Sequence, residues 1–129
     1  MALRTLKISL VLLINFTNFC DDHFIEILSE AASGNPRAQF ELGLHYSNGD
    51  EVIQDYSRAI KWWKKSAAKG NSQAMYELGI AYQKGLGVDI DFTEAIKWFI
   101  TAAEHEHSGA VTRLGIMYEL GQGVVADHR

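Results

Sequence analysis

The chain repeats itself. From Ala38 it reads AQFELGLHYSNGDEV, from Ala74 AMYELGIAYQKGLGV, and from Ala110 AVTRLGIMYELGQGV, so one frame returns every 36 residues without a gap. Leu42, Leu78 and Leu114 fall in register, as do Gly43, Gly79 and Gly115, and then Tyr46, Tyr82 and Tyr118. In the second half of the unit Ala59 pairs with Ala95, Trp62 with Trp98, and Trp63 with Phe99. A period of this length marks units too small to bury an apolar face alone, which gain a core by stacking on their neighbours.

Each unit has the pattern of two helices. Ala38, Leu42 and Tyr46 recur at helical spacing, and Ala59, Trp62, Trp63 and Ala67 fall on one side of the second helix. Gly34 and Gly70 suit a left-handed helix end, Asn35 and Asn71 suit the following N-cap, and Pro36 suits a first helical turn. The third junction, Glu106-His107, lacks the Gly-Asn pair, so a looser turn is expected there. Asp55 and Asp91 are N-caps of second helices, and Asp91 with Glu94 has the spacing of a reciprocal capping box. An interior glycine costs about 1 kcal/mol relative to alanine. Its return at 43, 79 and 115 implies close approach by a partner helix. The expected fold is all-α, an α-solenoid of antiparallel helix pairs. Its parts are an N-terminal half-repeat helix over 21–35, repeats over 36–71 and 72–107, and a truncated repeat over 108–129. Asp127 aligns with the helix caps, so a continuation of the solenoid is expected beyond it.

Residues 1–20 carry Arg4 and Lys7 ahead of the apolar run from Ile8 to Ile14. That is the layout of a secretory signal peptide. The run is too short for a membrane span, which takes about 20 apolar residues. The alternative is a degenerate capping helix, because Ala2, Leu6 and Leu10 fall on repeat positions. The first reading implies a secreted or periplasmic protein, the second a cytoplasmic one. Twelve basic residues against sixteen acidic ones, a formal charge of −4, give no nucleic-acid footprint. Cys20 is a lone cysteine, so neither an intrachain disulfide nor a thiolate metal cluster is expected.

The frame AxxxLGxxYxxGxxVxxDxxxAxxWxxxAA, carried almost in full from Ala74 to Ala103, resembles the Sel-one-like repeat, a branch of the tetratricopeptide superfamily. The resemblance extends over about Asp21 to Arg129. Glu51 departs from it, standing where the other units have Gly87 and Gly123. It implies a right-handed superhelix and a non-catalytic adaptor or scaffold that engages a protein or peptide. The cysteines of the family's disulfide-stapled secreted branch are missing here, so that branch's properties are not carried over.

No arrangement of residues argues for catalysis, a cofactor or a metal. Gly121-Gln122-Gly123 opens a G-x-G-x-x-A string, but a helix precedes it where a nucleotide site needs a strand. His105-Glu106-His107 lies at a turn and lacks the spacing that sets two histidines on one helical face. Leu42, Gly43, Tyr46, Trp62, Leu78, Gly79, Tyr82, Trp98, Leu114, Gly115 and Tyr118 are read as structural positions, with Trp62 and Trp98 in the core. Positions that vary between units are free to serve a ligand. On the first helix of each pair these include Glu41, Glu77 and Arg113, then His45, Ala81 and Met117, then Asn48, Lys84 and Leu120. The expected partner-binding residues are Glu41, His45, Asn48, Glu77, Lys84 and Arg113, on the concave side that such helices line. Phe40, Leu44, Tyr76, Ile80 and Ile116 form an apolar stripe, read first as packing between repeats and alternatively as a groove for an extended peptide. Arg58, Lys61, Lys64, Lys65 and Lys69 form a basic patch on the other helix, read as a solvated convex face. The alternative to an interaction module is a secreted or periplasmic enzyme, or enzyme regulator, acting on lactam or peptidoglycan chemistry.

Overall fold

The computed structural model describes the backbone of residues 19–123 and the side chains of residues 22–123. The signal-peptide and capping-helix readings of 1–20, and the cap at Asp127, fall almost wholly outside them. Among the described residues there are six helices and no strands: α1 (Phe19–Ser33), α2 (Pro36–Asn48), α3 (Tyr56–Ala68), α4 (Ser72–Lys84), α5 (Phe92–Glu104) and α6 (Ser108–Leu120). The first begins two residues before the expected boundary at Asp21. Each helix packs on the next, and the pairs α2/α3 and α4/α5 share the largest contact. None of the described helices is long and apolar enough to cross a membrane.

The starts and stops lie where the residues place them. Asn35 Oδ1 accepts from Arg37 N at 3.0 Å, and Asn71 Oδ1 accepts from Ala74 N at 3.0 Å. The junction expected to be looser keeps the same geometry. Glu106 takes the left-handed conformation, φ 66°, that Gly34 and Gly70 take elsewhere, and His107 Nδ1 accepts from Ala110 N at 3.3 Å as the asparagines do. The capping box at Asp91 is half made. Its Oδ1 accepts from Glu94 N at 3.0 Å, but its own N–H donates to the Tyr82 carbonyl at 2.9 Å. The Asp55 N–H donates to the Tyr46 carbonyl in the same way, at 2.8 Å. In both units the N–H of the cap ties the loop back to the preceding helix, and at Asp91 that bond takes the place of the box's return arm.

The core is built on glycine–aromatic contacts. A methyl group on Gly79 would stand 2.5 Å from Phe99 Cε1, and one on Gly43 would run into the Trp63 indole. Phe99 is fully buried and Trp63 nearly so. The close approach read from the interior glycines is therefore made by the aromatic twenty positions later. The two pairs are finished differently. Trp63 Nε1 donates to the Phe40 carbonyl at 3.3 Å and Ser66 Oγ to the Pro36 carbonyl at 2.6 Å, so polar atoms between α2 and α3 find backbone partners. Between α4 and α5 the equivalent positions are Phe99 and Ala102, and the seam is apolar.

This corrects the placement of Trp62 and Trp98. Both are only half-buried, against clusters centred on other residues. The helix turns about 100° per residue, so position 63 aims at the paired helix while position 62 is swung to the flank. Tyr46, Tyr82 and Leu114 are also half-buried, whereas Leu42 and Leu78 are fully enclosed. Tyr118 is 59% exposed, and a methyl group on Gly115 would meet nothing within 4 Å among the described residues. The third unit keeps the glycine but lacks, within the described chain, the aromatic that fills it.

Candidate functional site

The first helices of the units, α2, α4 and α6, carry all six residues expected to bind a partner. The structure sorts these into two groups. Glu41, His45 and Asn48 line one cavity of about 370 Å³, with His23 and Ile27 from α1 and Asp50 from the following loop. The His45 ring stands 5.1 Å from that of Phe24, tilted by 59°, and its Nδ1 lies 3.1 Å from the Asp50 carbonyl. Glu41 meets Arg37 at 3.5 Å one turn away, an exposed pair of little consequence for stability.

Glu77, Lys84 and Arg113 form the second group, across the α4–α6 seam. Arg113 Nε donates to Tyr76 Oη at 3.3 Å, and the Tyr76 ring stacks on His107 at 4.5 Å with 17° between planes. The α6 cap is thus fixed against α4, and Arg113 is held beside Glu77. Burial pushes the Glu77 carboxyl above its usual pKa range, and the charges of Lys84 and Arg113 offset only part of that effect. A half-buried carboxylate with two nearby cations is a polar anchor on an otherwise apolar seam.

Other positions on these helices belong to the stack. Ala81 is 1% exposed and Met117 is fully buried, so the variable position they share with His45 is outward only in the first repeat. Phe40, Leu44, Tyr76 and Ile80 pack against the main core cluster, which is the inter-repeat packing read for them, and Ile116 is 39% exposed. Sequence reasoning missed His23 as a wall of the first cavity and Phe24 as the ring beside His45. The available signal was their place on the half-repeat helix that packs against α2. It also set aside Tyr76, whose ring packs in the seam while its hydroxyl fixes Arg113.

On the other side of α2, a cavity of about 510 Å³ is lined by Tyr46, Arg58, Lys61, Trp62, Lys64 and Lys65. It adjoins another of about 390 Å³ between Tyr46, Arg58 and the loop Val52–Asp55. No three histidine, cysteine, aspartate or glutamate side chains converge as metal ligands among the described residues.

Comparison with known proteins gives a consistent result. The Sel1 repeat family model matches residues 36–71, 72–107 and 108–129. The protective antigen c5321 of uropathogenic Escherichia coli, described as having an SLR fold, superposes with a TM-score of 0.76 at 41% identity, over 79% of this chain and 22% of that one. A Sel1 repeat protein from Oxalobacter formigenes superposes with a TM-score of 0.78 at 39% identity, over 82% of this chain and 43% of that one. The chain therefore spans about a fifth of the first protein and less than half of the second. Cysteine rich protein B of Helicobacter pylori shares the fold, with a TM-score of 0.69 at 22% identity over 80% of this chain and 77% of that one. No curated protein matches the sequence. The 36-residue frame, the glycine–aromatic core and the family match agree, and the chain belongs to the Sel1 repeat family.

Proposed function

We propose that this chain is a non-catalytic interaction module that binds a peptide or protein segment along α2, α4 and α6, on the concave side of the solenoid. The observation that carries the reading is Glu77. Its carboxylate is kept half-buried at a cost to stability, between Lys84 on its own helix and Arg113 on the next unit. The first unit has a glutamate at the same position, Glu41, but there it meets Arg37 on its own helix at 3.5 Å, and the third unit has Arg113. A pre-ordered polar anchor among apolar neighbours suits a segment that pairs a backbone or side-chain donor with the carboxylate. A rigid stack spares most of the ordering cost on binding.

The test places a photo-crosslinking amino acid at Asn48, at Lys84 or at exposed Lys97 on α5, and captures partners from native lysate. The reading expects one protein crosslinked from 48 and 84, not from 97, and lost in Glu77→Gln and Arg113→Ala variants. Crosslinks from 97 alone, or capture unchanged by both variants, would contradict it. Turnover of a lactam or peptidoglycan substrate by the purified protein would replace it with the enzymatic alternative. The layout of residues 1–20 extends the proposal to a secreted or periplasmic protein. Recovery from the periplasm or medium with Met1 or Ala2 intact would refute a cleaved leader.

A further inference from the structure

We propose that α3 carries a second recognition surface, a basic stripe with an aromatic floor that takes a short acidic peptide in extended conformation. Arg58, Lys61, Lys65 and Lys69 share with Trp62 an arc of about 100° around the helix at 3.6 residues per turn. All four cations are exposed, as is Lys64 beside them. These five are nearly half of the chain's twelve basic residues, gathered in a chain of net charge −4, and no acidic residue interrupts the run from Tyr56 to Gly70.

The repeat frame does not demand this charge. On α5 the positions of Arg58, Lys64, Lys65 and Lys69 are Glu94, Ile100, Thr101 and His105, and only Lys61 has a basic counterpart, Lys97. The α5 helix forms the same packing with its aromatic buried against glycine, so the glycine–aromatic packing of the pair does not require the cations of α3. Lys61, Lys65 and Lys69 stand four apart in sequence, a spacing at which like charges destabilise a helix.

The cations converge on aromatic surface. Lys65 Nζ lies 4.3 Å from the Trp62 ring centroid, the Arg58 guanidinium 5.8 Å from that of Tyr46, and Lys64 Nζ 5.9 Å from that of Tyr82. Tyr46 and Trp62 are half-buried and floor the cavity of about 510 Å³ that Arg58, Lys61, Lys64 and Lys65 rim. Of these five cations only Arg58 has a carboxylate partner among the described residues, Asp55 at 3.4 Å. Lys69 donates instead to the Gly34 carbonyl. From Arg58 to Lys69 the stripe runs about 17 Å at 1.5 Å per residue, the length of about five residues of extended peptide. Alternating side chains would set carboxylates against the cations and apolar groups against Trp62 and Tyr46. A long nucleic acid or a membrane surface would overrun the stripe onto a protein whose net charge repels it.

The test is fluorescence anisotropy with a fluorescein-labelled six-residue peptide of alternating glutamate and valine, at 50 mM salt, on the full chain. Saturable binding is expected. It should weaken at least tenfold in both Lys61→Glu/Lys65→Glu and Lys61→Gln/Lys65→Gln, change less than twofold in Lys97→Glu, and weaken severalfold on raising salt to 300 mM. Circular dichroism identifies the folded variants, and the glutamine pair keeps the comparison if the charge reversal unfolds the chain. No saturable binding, equal binding by folded double variants, or equal or tighter binding of oligothymidylate or of phosphatidylglycerol vesicles would overturn the proposal.

Discussion

Burial raises the pKa of the Glu77 carboxyl above its ordinary 4.5, so a proton is held more tightly in the folded chain than in the unfolded one. Stability then falls as pH rises from the unfolded value through the folded one. Below 4.5 both states are protonated and the penalty vanishes. Glu77→Gln is therefore expected to raise the melting temperature at pH 7 and to converge with the parent near pH 3. Calorimetry across that range checks this, and a lower melting temperature for the variant at pH 7 would mean that Lys84 and Arg113 more than offset burial. Glu106 is a second residue under tension. A left-handed conformation costs a non-glycine residue about 1–2 kcal/mol, while glycine's extra freedom in the unfolded chain costs about 0.4–1 kcal/mol. Glu106→Gly should raise stability by less than about 1 kcal/mol in urea unfolding. The turn itself was legible from Gly34 and Gly70. That a glutamate would accept the same backbone was not, because tertiary packing overrides local preference at one position more easily than along a helix.

At the scale of the element, the second helix of each unit is decided by which aromatic faces the paired glycine. Identity between units draws the eye to Trp62 and Trp98, yet depth belongs to Trp63 and Phe99, which differ. The usable signal was the fixed step of twenty from glycine to aromatic, 43 to 63 and 79 to 99. Phe99→Ala should cost about 3–5 kcal/mol, and Trp98→Ala clearly less. Chemical denaturation of the two variants measures the difference, and an equal cost would return Trp98 to the core. The candidate site was legible at the level of helices and positions, since variable residues on α2, α4 and α6 do face outward in part. It was not legible as two groups. Whether a side chain at one position is enclosed, like Met117, or outward, like His45, depends on what the neighbouring unit places against it.

Across the whole molecule, helix pairs couple only to their neighbours, so stability sums over units and the seams between them. The period made the all-α stack readable from the sequence. It also made the exceptions readable as candidates for function, because a residue that breaks the frame without improving the packing needs another reason to be there. The cations of α3 are such residues. The same register assigns opposite outcomes to one substitution made in two units. Calorimetric melting of Gly79→Ala and Gly115→Ala against the parent is the most direct measurement. Gly79→Ala should lose about 1–3 kcal/mol, because its new methyl group strikes Phe99. Gly115→Ala should gain up to about 1 kcal/mol, since helix propensity improves and nothing described stands in the way. Two variants that shift in the same direction would contradict a stack built on glycine–aromatic contacts in strict register.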